Sequence, residues 1–382
     1  MIVRTITPLD VFCPRGNRLF GAGVHGDAIM PPWPSVFSGA AASRALVDAG
    51  RLEEVARAPD QAERVLAEIL GPEFALVGLG LSRGGQVCVP LPADLSCYPD
   101  GRAEGAIRVA RWALRRLPGG AGPKWGPGVS EWVPVLDRRE NRGAKPIGGF
   151  WLSAEGLRRH LAGGVPLAEH LVPARGLWGV DARLGIALSE DRRTAEKGRI
   201  YTTDAVHLND GVAFVAAFRG RNVPEQGLLR LGGDGRGAMM EPARPEEGAF
   251  FDDMGRPQPG WPGFRMVLAT PGVFPKGWRP PGVDDDLVWE LPGLRARLVA
   301  AKVGRHDVVS GWDVAKRAPK PAVKVAPWGS VYWFRVEQGD TAALQAVWSE
   351  GLWTAEAERV SPARKREGFN RVWFGYWGPK EA

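Results

Sequence analysis

Apolar positions along the chain recur by alternation more often than at helical spacing, which predicts strands joined by polar, glycine-rich connections. Residues 2–9 (IVRTITPL) predict an opening strand, and Pro31, Pro32 and Pro34 then mark a rigid loop. Residues 38–49 (SGAAASRALVDA) predict a helix of small residues stopped by Gly50. Asp60 and Glu63 stand at capping-box spacing before a helix with Val65, Leu66, Ile69 and Leu70 on its apolar side. Residues 74–92 predict a hairpin around Arg83-Gly84-Gly85. The stretch 99–149, rich in Gly, Pro and Arg, predicts irregular insertions, and Ser153 then caps a short helix ending at Gly163-Gly164.

The middle is patterned more clearly. Leu184, Ile186 and Leu188 alternate, residues 189–199 are polar, and 200–208 resume as a strand. Asn209-Asp210-Gly211 signals a turn into a strand with Val212, Phe214, Ala216 and Phe218 on one face. The segment RRTAEKGRIYTTDAVHL, residues 192–208, is therefore the tip and return arm of a β-hairpin. In the last third, 264–269, 295–303, 330–336 and 371–377 predict strands. Asp340 caps a helix carrying Leu344, Val347 and Trp348, stopped by Gly351. With a short helical turn inside 271–294, the order is β-α-β-β-α-β, a ferredoxin-like unit. The boundary falls near 220–225, giving domains 1–222 and 223–382, and the first half could hold a second, heavily decorated copy of the unit.

Composition narrows the class. A length of 382 residues favours two domains, each with its own core. The net charge of +7 favours anionic partners, nucleic acid first. Cys13, Cys88 and Cys97 lack metal-ligand spacing and fit reduced thiols in a cytoplasm. No apolar run approaches the ~20 residues of a membrane helix, and Pro8 and Asp10 interrupt the start too early for a signal peptide. Sixteen Trp against four Tyr predicts many indoles serving as core or loop anchors.

Four constellations are candidates for chemistry. Arg192, Arg193, Lys197 and Arg199 crowd the hairpin, either as a finger across a phosphate backbone or as a solvated tip diluted by Asp191 and Glu196. GWDVAKRAPKPAVK, residues 311–324, sets Lys316, Arg317, Lys320 and Lys324 beside Trp312, which stacks on a base or anchors a loop. LGGDGRG, residues 231–237, is a phosphate-cradling turn or a merely flexible one; it lacks the Gly-Lys-Ser/Thr ending of a Walker loop. His25, His160, His170, His207 and His306 show no metal spacing, Asp284, Asp285 and Asp286 fit an acidic loop, and Ser38 and Ser330 lack a nucleophile-elbow context. No catalytic residue, metal site or cofactor is expected.

Several collinear segments together resemble one family: PPWPSVFSGA (31–40), VPLPADL (89–95), GFWLSAEGLRRHL (149–161), RTAEKGRIYTTDAVHL (193–208), LGGDGR (231–236), LATPGVFPKGWRP (268–280), VSGWDVAKRAPKP (309–321), APWGSVYWF (326–334) and EGFNRVWFGYW (367–377). The chain resembles the third Cmr subunit of type III-B CRISPR effector complexes, a RAMP-superfamily protein. The resemblance implies an α+β chain of two ferredoxin-like (RRM-like) RAMP domains with large loop and hairpin insertions. It implies a non-catalytic subunit that holds the 5′ handle of crRNA beside the large polymerase-like Cas subunit and the backbone RAMP subunits, in the cytoplasm and away from any membrane. Carried over by position, it marks Ser38, Gly39 and Ala40; Arg193, Lys197, Arg199 and Tyr201; Gly232, Gly233, Gly235 and Arg236; and Gly311, Trp312 and Lys320. Family members often carry Arg where Ala42 stands here, and Arg44 is the nearest substitute. Two rival readings remain: a metal-independent RAMP endoribonuclease cutting repeat RNA with His25 or His207, and a pure protein–protein scaffold.

Overall fold

The computed structural model describes residues 1–16, 25–101, 105–117, 132–136, 145–188 and 194–378, without the side chains of 187, 188 and 195–199. It is a mixed α/β fold with several sheets and few helices. The chain opens with β1 (Ile2–Pro8), followed by α1 (Pro34–Asp48) and α2 (Ala62–Leu70). Helix α1 starts four residues before the predicted position because Pro34 occupies its first turn, where a missing N–H costs nothing. Its small residues Ala40, Ala41, Ala42 and Ala45 are buried and let the helix lie close to the sheet. The expected capping box before α2 does not form; Gln61 is the N-cap, without a side-chain bond, and Glu63 pairs with Arg366 instead.

Strands β2 (Ala75–Arg83) and β3 (Gln86–Pro90) form the predicted hairpin, turning on Gly84 and Gly85 at φ of 59° and 90°. β4 (Phe150–Ser153) runs into α3 (Ala154–Leu161), whose Gly156 N–H is accepted by Ser153 Oγ, and β5 (Leu171–Pro173) follows. Next come β6 (Trp178–Leu188), β7 (Ala195–Leu208), β8 (Val212–Arg219), β9 (Gly227–Arg230) and β10 (Gly237–Pro242), then α4 (Pro245–Asp253). The first sheet has eight strands in the order β5-β4-β3-β2-β8-β1-β10-β9. Its centre, β2-β8-β1-β10, is antiparallel throughout. β8 departs from the alternating pattern: residues 214–218 are buried on both faces, the mark of a central strand covered on each side.

The second sheet takes β11 (Gly263–Leu268), β12 (Val288–Leu291), β13 (Leu294–Lys302), β14 (Val331–Gly339) and β15 (Val372–Tyr376) in the order β12-β13-β14-β11-β15. Asp340 caps a 3-10 turn that continues as α5 (Gln345–Glu350) and stops at Gly351. No helix forms within 271–294; turns and β12 occupy that connection, since Pro271, Pro275, Pro280 and Pro281 break any helical run. Sheet membership changes between Pro242 and Gly263, not at 222/223. Cutting at 222 would strip β1 of its partner β10, which closes the open side of β1. Among the described residues of 99–149, where irregular insertions are expected, Leu95–Pro99 pairs with Ile107–Arg111, and Ala113–Arg116 with Trp132–Val135.

One apolar cluster joins the two sheets, bringing Val89, Leu152 and Leu157 against Val267, Val331, Trp333 and Trp373. Inside this contact lies a buried charge network. Arg265, on β11 between β14 and β15, donates from Nη1 to Asp94 Oδ2 at 3.0 Å and from Nη2 to the His160 carbonyl. His160 Nε2 lies 2.9 Å from Asp94 Oδ1. Burial alone would push the Asp94 carboxyl up, but His160 and Arg265 outweigh it and hold it down at about 2. Burial pushes His160 down despite Asp94, and Arg265 is the counter-ion of the Asp94 carboxylate beside it.

Nearby, the Lys302 ammonium sits 3.3 Å from the centroid of the Trp112 ring, and burial pushes it down to about 8. Its folded value lies below its unfolded one, so stability rises as pH climbs from 8 through the lysine range. Lys302 is expected to react with amine reagents at pH 8 ahead of the other described lysines. Even labelling across lysine peptides in mass spectrometry would contradict this.

Candidate nucleic-acid interface

Strands β6 and β7 make the predicted finger. They pair from Trp178↔Leu208 to Ile186↔Ile200, then slip at a bulge to Leu188↔Ala195. The return arm thus starts at Ala195 rather than at 200, which puts the backbone of Lys197 and Arg199 within the strand. Arg192 and Arg193 lie outside the described residues. The two faces of the finger differ. Val180, Leu184, Ile186 and Ile200 share one face and are 51%, 70%, 47% and 54% exposed, so the alternation that predicts a half-buried strand produces an apolar face open to solvent. The other face carries Arg183, Tyr201, Thr203 and His207. Gly185 leaves room for the Tyr201 ring and Gly179 for the His207 ring; an added Cβ would meet either ring at 2.3 Å. Glycine opposite an aromatic side chain is a recurring sheet device, in which the ring covers the bare backbone.

Residues 11–15 tie the finger to the glycine-rich turn. Phe12 and Val206 exchange both backbone hydrogen bonds at 2.9 and 2.8 Å, and Gly233 N–H donates to the Cys13 carbonyl at 3.3 Å. Gly232, Asp234 and Gly235 adopt φ of 71°, 58° and 62°, so the turn curls back on itself. Asp234 accepts from Arg15 Nη2 at 2.8 Å. The Cys13 thiol is pushed up by burial and by Asp234, and pulled down by Arg236, Arg15 and Arg183. Arg15, Arg183 and Arg236 thus bring positive charge toward the base of the finger. The Nε of Arg236 is buried and finds no acceptor among the described residues, and a buried donor left unpaired costs ~1–3 kcal/mol. The Arg236 side chain as a whole is only half-buried, and a phosphate matches the planar fork of arginine.

Among the positions marked by resemblance, Gly232, Gly233 and Arg236 lie in the turn tied to the base of the finger, while Tyr201 stands further along it, opposite Gly185. Others are placed differently. Ser38 is 2% exposed and its hydroxyl donates to the Arg366 carbonyl, so it belongs to the core and offers nothing to a ligand. Gly39 is exposed on the same helix. Arg44 is held by Asp48 at 2.7 Å and by the Leu228 carbonyl, so it acts as a brace between α1 and β9. In the second candidate loop, Trp312–Asp313 pairs with Ala318–Pro319 to form a small hairpin. Trp312 and Val314 are exposed at its tip, 58% and 71%. Gly311 turns the chain at φ 109°, and its carbonyl accepts from Lys320 N. The Lys320 ammonium is bound at 2.5 Å by Glu367, which also holds Arg364 at 2.8 Å, so Lys320 is an anchor and not a free cation. Lys316 reaches Asp60 at 3.4 Å, and Lys324 is exposed on Val323–Val325.

Other titratable groups singled out by the sequence have partners within the chain. His160 is buried in the Asp94 network, and His207 lies 3.5 Å from Asp181. Asp284 accepts the Val288 N–H at 2.7 Å, and Asp285 pairs with Arg279 at 2.6 Å. Arg15 and Arg183 escape a reading of the sequence because they lie 168 positions apart, in segments with no cationic run, and only the pairing of Phe12 with Val206 unites them. No helix among the described residues is long and apolar enough to cross a membrane.

No curated protein matches the chain by sequence. Among solved structures, a chain of the type III-B Cmr-beta complex bound to cognate target RNA and AMPPnP is similar over 97% of this chain and 95% of that one, at 13% identity and a TM-score of 0.51. A chain of the same type of complex bound to cognate target RNA covers 97% and 96%, at 13% identity and a TM-score of 0.49. The first of these likenesses shows a shared fold. The family model described as CRISPR-associated protein (Cas_Cmr3) matches residues 4–377, nearly the whole chain, which therefore belongs to the Cas_Cmr3 family.

Proposed function

We propose that this chain is a non-catalytic RNA-binding subunit of a type III-B CRISPR effector, gripping the 5′ handle of crRNA between the polymerase-like Cas subunit and the backbone RAMP subunits. The observation that carries the reading is Arg236, whose Nε finds no acceptor among the described residues, with Arg15 and Arg183 on the segments that Phe12 and Val206 join beside it. Those groups supply phosphate contacts, which fix position without reading sequence. Tyr201 on the finger and Trp312 on the second hairpin supply stacking surfaces for splayed bases, as single-stranded RNA requires. The strand orders β2-β8-β1-β10 and β13-β14-β11-β15 suit two ferredoxin-like RAMP units whose connecting helices are partly replaced, with the division placed between Pro242 and Gly263.

Ultraviolet crosslinking of the chain, assembled with its neighbours on a guide carrying the repeat-derived handle, tests this. Adducts are expected on peptides holding Tyr201 and residues 231–237. Adducts confined to other peptides, or none, would refute the assignment. The endoribonuclease rival predicts metal-independent cleavage of repeat RNA; intact repeat RNA after prolonged incubation is expected instead.

A further inference from the structure

Away from the arginine cluster, the short strand His25–Gly26 runs parallel to β7, with Thr202 opposite His25 and Thr203 opposite Gly26. This register brings together three side chains that sequence spacing keeps apart. His25 Nε2 lies 3.3 Å from Asp204 Oδ1 and 3.6 Å from Asp27 Oδ1. One ligand atom from each of the three residues lies within 4.8 Å of the other two. On the far side of the imidazole, Nδ1 is 2.8 Å from Thr202 Oγ1.

We propose that His25, Asp27 and Asp204 form a binding site for a divalent transition-metal ion such as Zn²⁺ or Mn²⁺. The separations fit. Ligands bonded at about 2.0–2.2 Å and meeting at the tetrahedral angle lie about 3.4 Å apart. The tautomer fits too. With the Nδ1 proton donated to Thr202 Oγ1, Nε2 turns its lone pair toward two carboxylates. A hydrogen bond from the non-ligating nitrogen of histidine to an oxygen is the usual means of orienting a metal-binding imidazole. The donor set, one imidazole and two carboxylates, suits Zn²⁺, Mn²⁺ or Co²⁺ better than Mg²⁺, which prefers oxygen alone. The exposure of His25 and Asp27 leaves room for water in the remaining coordination positions. Bound metal would fasten segment 25–28 to the base of the finger, tying together residues 177 positions apart. The site does not depend on the RNA-binding reading.

Zn²⁺ titration of the full chain by calorimetry is the test. One saturable site per chain is expected, with affinity falling about tenfold or more in His25→Ala and Asp204→Asn and in the orienting variant Thr202→Val. His306→Ala should bind like the unaltered chain. Carbethoxylation of the unaltered protein gives a readout free of any folding defect in a variant: Zn²⁺ should protect His25 and leave His306 reactive. Absence of a saturable site, affinity unchanged in the three variants, or equal modification of His25 with and without Zn²⁺ would each overturn the proposal.

Discussion

Replacing Asp94 by Ala is expected to destabilise the chain by about 3–5 kcal/mol, the usual consequence of leaving a buried charge without its partner. Arg265 is 2% exposed on an interior strand of the second sheet, and Asp94 is its only carboxylate among the described residues. The loss should appear in denaturant unfolding as a lower midpoint, and Asp94→Asn, which keeps a hydrogen-bond acceptor, should lose less. The pH dependence follows from the same ion pair. The folded carboxyl is held at about 2, below its unfolded value, so its stabilising contribution is present above pH 4 and disappears as pH falls toward 2. His160, pushed down by burial, resists protonation in the folded state. Its effect has the same sign and begins earlier, as pH drops below the usual imidazole range. Acid unfolding of the unaltered protein should therefore be gradual. In Asp94→Ala the step between pH 4 and 2 should vanish; a variant with an unchanged midpoint and an unchanged acid limb would show that the network contributes nothing.

The second large effect concerns RNA. Replacing Arg15, Arg183 and Arg236 together by Ala is expected to weaken handle binding roughly 30- to 1,000-fold, taking about 1 kcal/mol for each charge-assisted hydrogen bond that the substitutions remove. The plot of log affinity against log salt should become shallower by about 0.7 for each phosphate no longer neutralised. Trp312→Ala should behave differently, losing about 1–3 kcal/mol if a base stacks there and leaving the salt slope alone. The corresponding triple change of Arg193, Lys197 and Arg199 asks whether the finger adds to the same footprint. An unchanged salt slope in the variant lacking Arg15, Arg183 and Arg236 would remove the base of the finger as the phosphate site.

Local pattern carries far in this chain. The hairpin on Gly84-Gly85, the turn at Asn209-Asp210-Gly211, the caps at Ser153 and Asp340 and four strands of the second sheet follow from alternation and turn chemistry, because each is decided by a few adjacent residues. Pattern misleads where distant segments decide. Nothing local reveals that β10, beyond residue 222, pairs with β1 in the first sheet. Composition hides the ladders between 95 and 135, whose pairing rests on a few apolar residues among many Gly, Pro and Arg. The interface divides in the same way. The glycine turn is visible as a motif, whereas the burial of Ser38, the capture of Lys320 by Glu367 and the meeting of Arg15, Arg183 and Arg236 depend on segments far apart in sequence. His25, Asp27 and Asp204 are similarly scattered until a parallel strand pair sets their register.

The placement of β1 also shapes how the molecule is made. Its neighbours in the sheet are β8 and β10, so Ile2 waits for Phe218 and Pro8 for Ala238. At roughly 5–20 residues per second, the ribosome needs on the order of 10–50 s to deliver both. Throughout that interval β1 waits for both of its ladder partners, and its backbone donors and acceptors stay open to unrelated nascent chains. Early protection by a chaperone, or tethering of the N-terminus during expression, should therefore raise the yield of soluble protein more than any adjustment near the C-terminus.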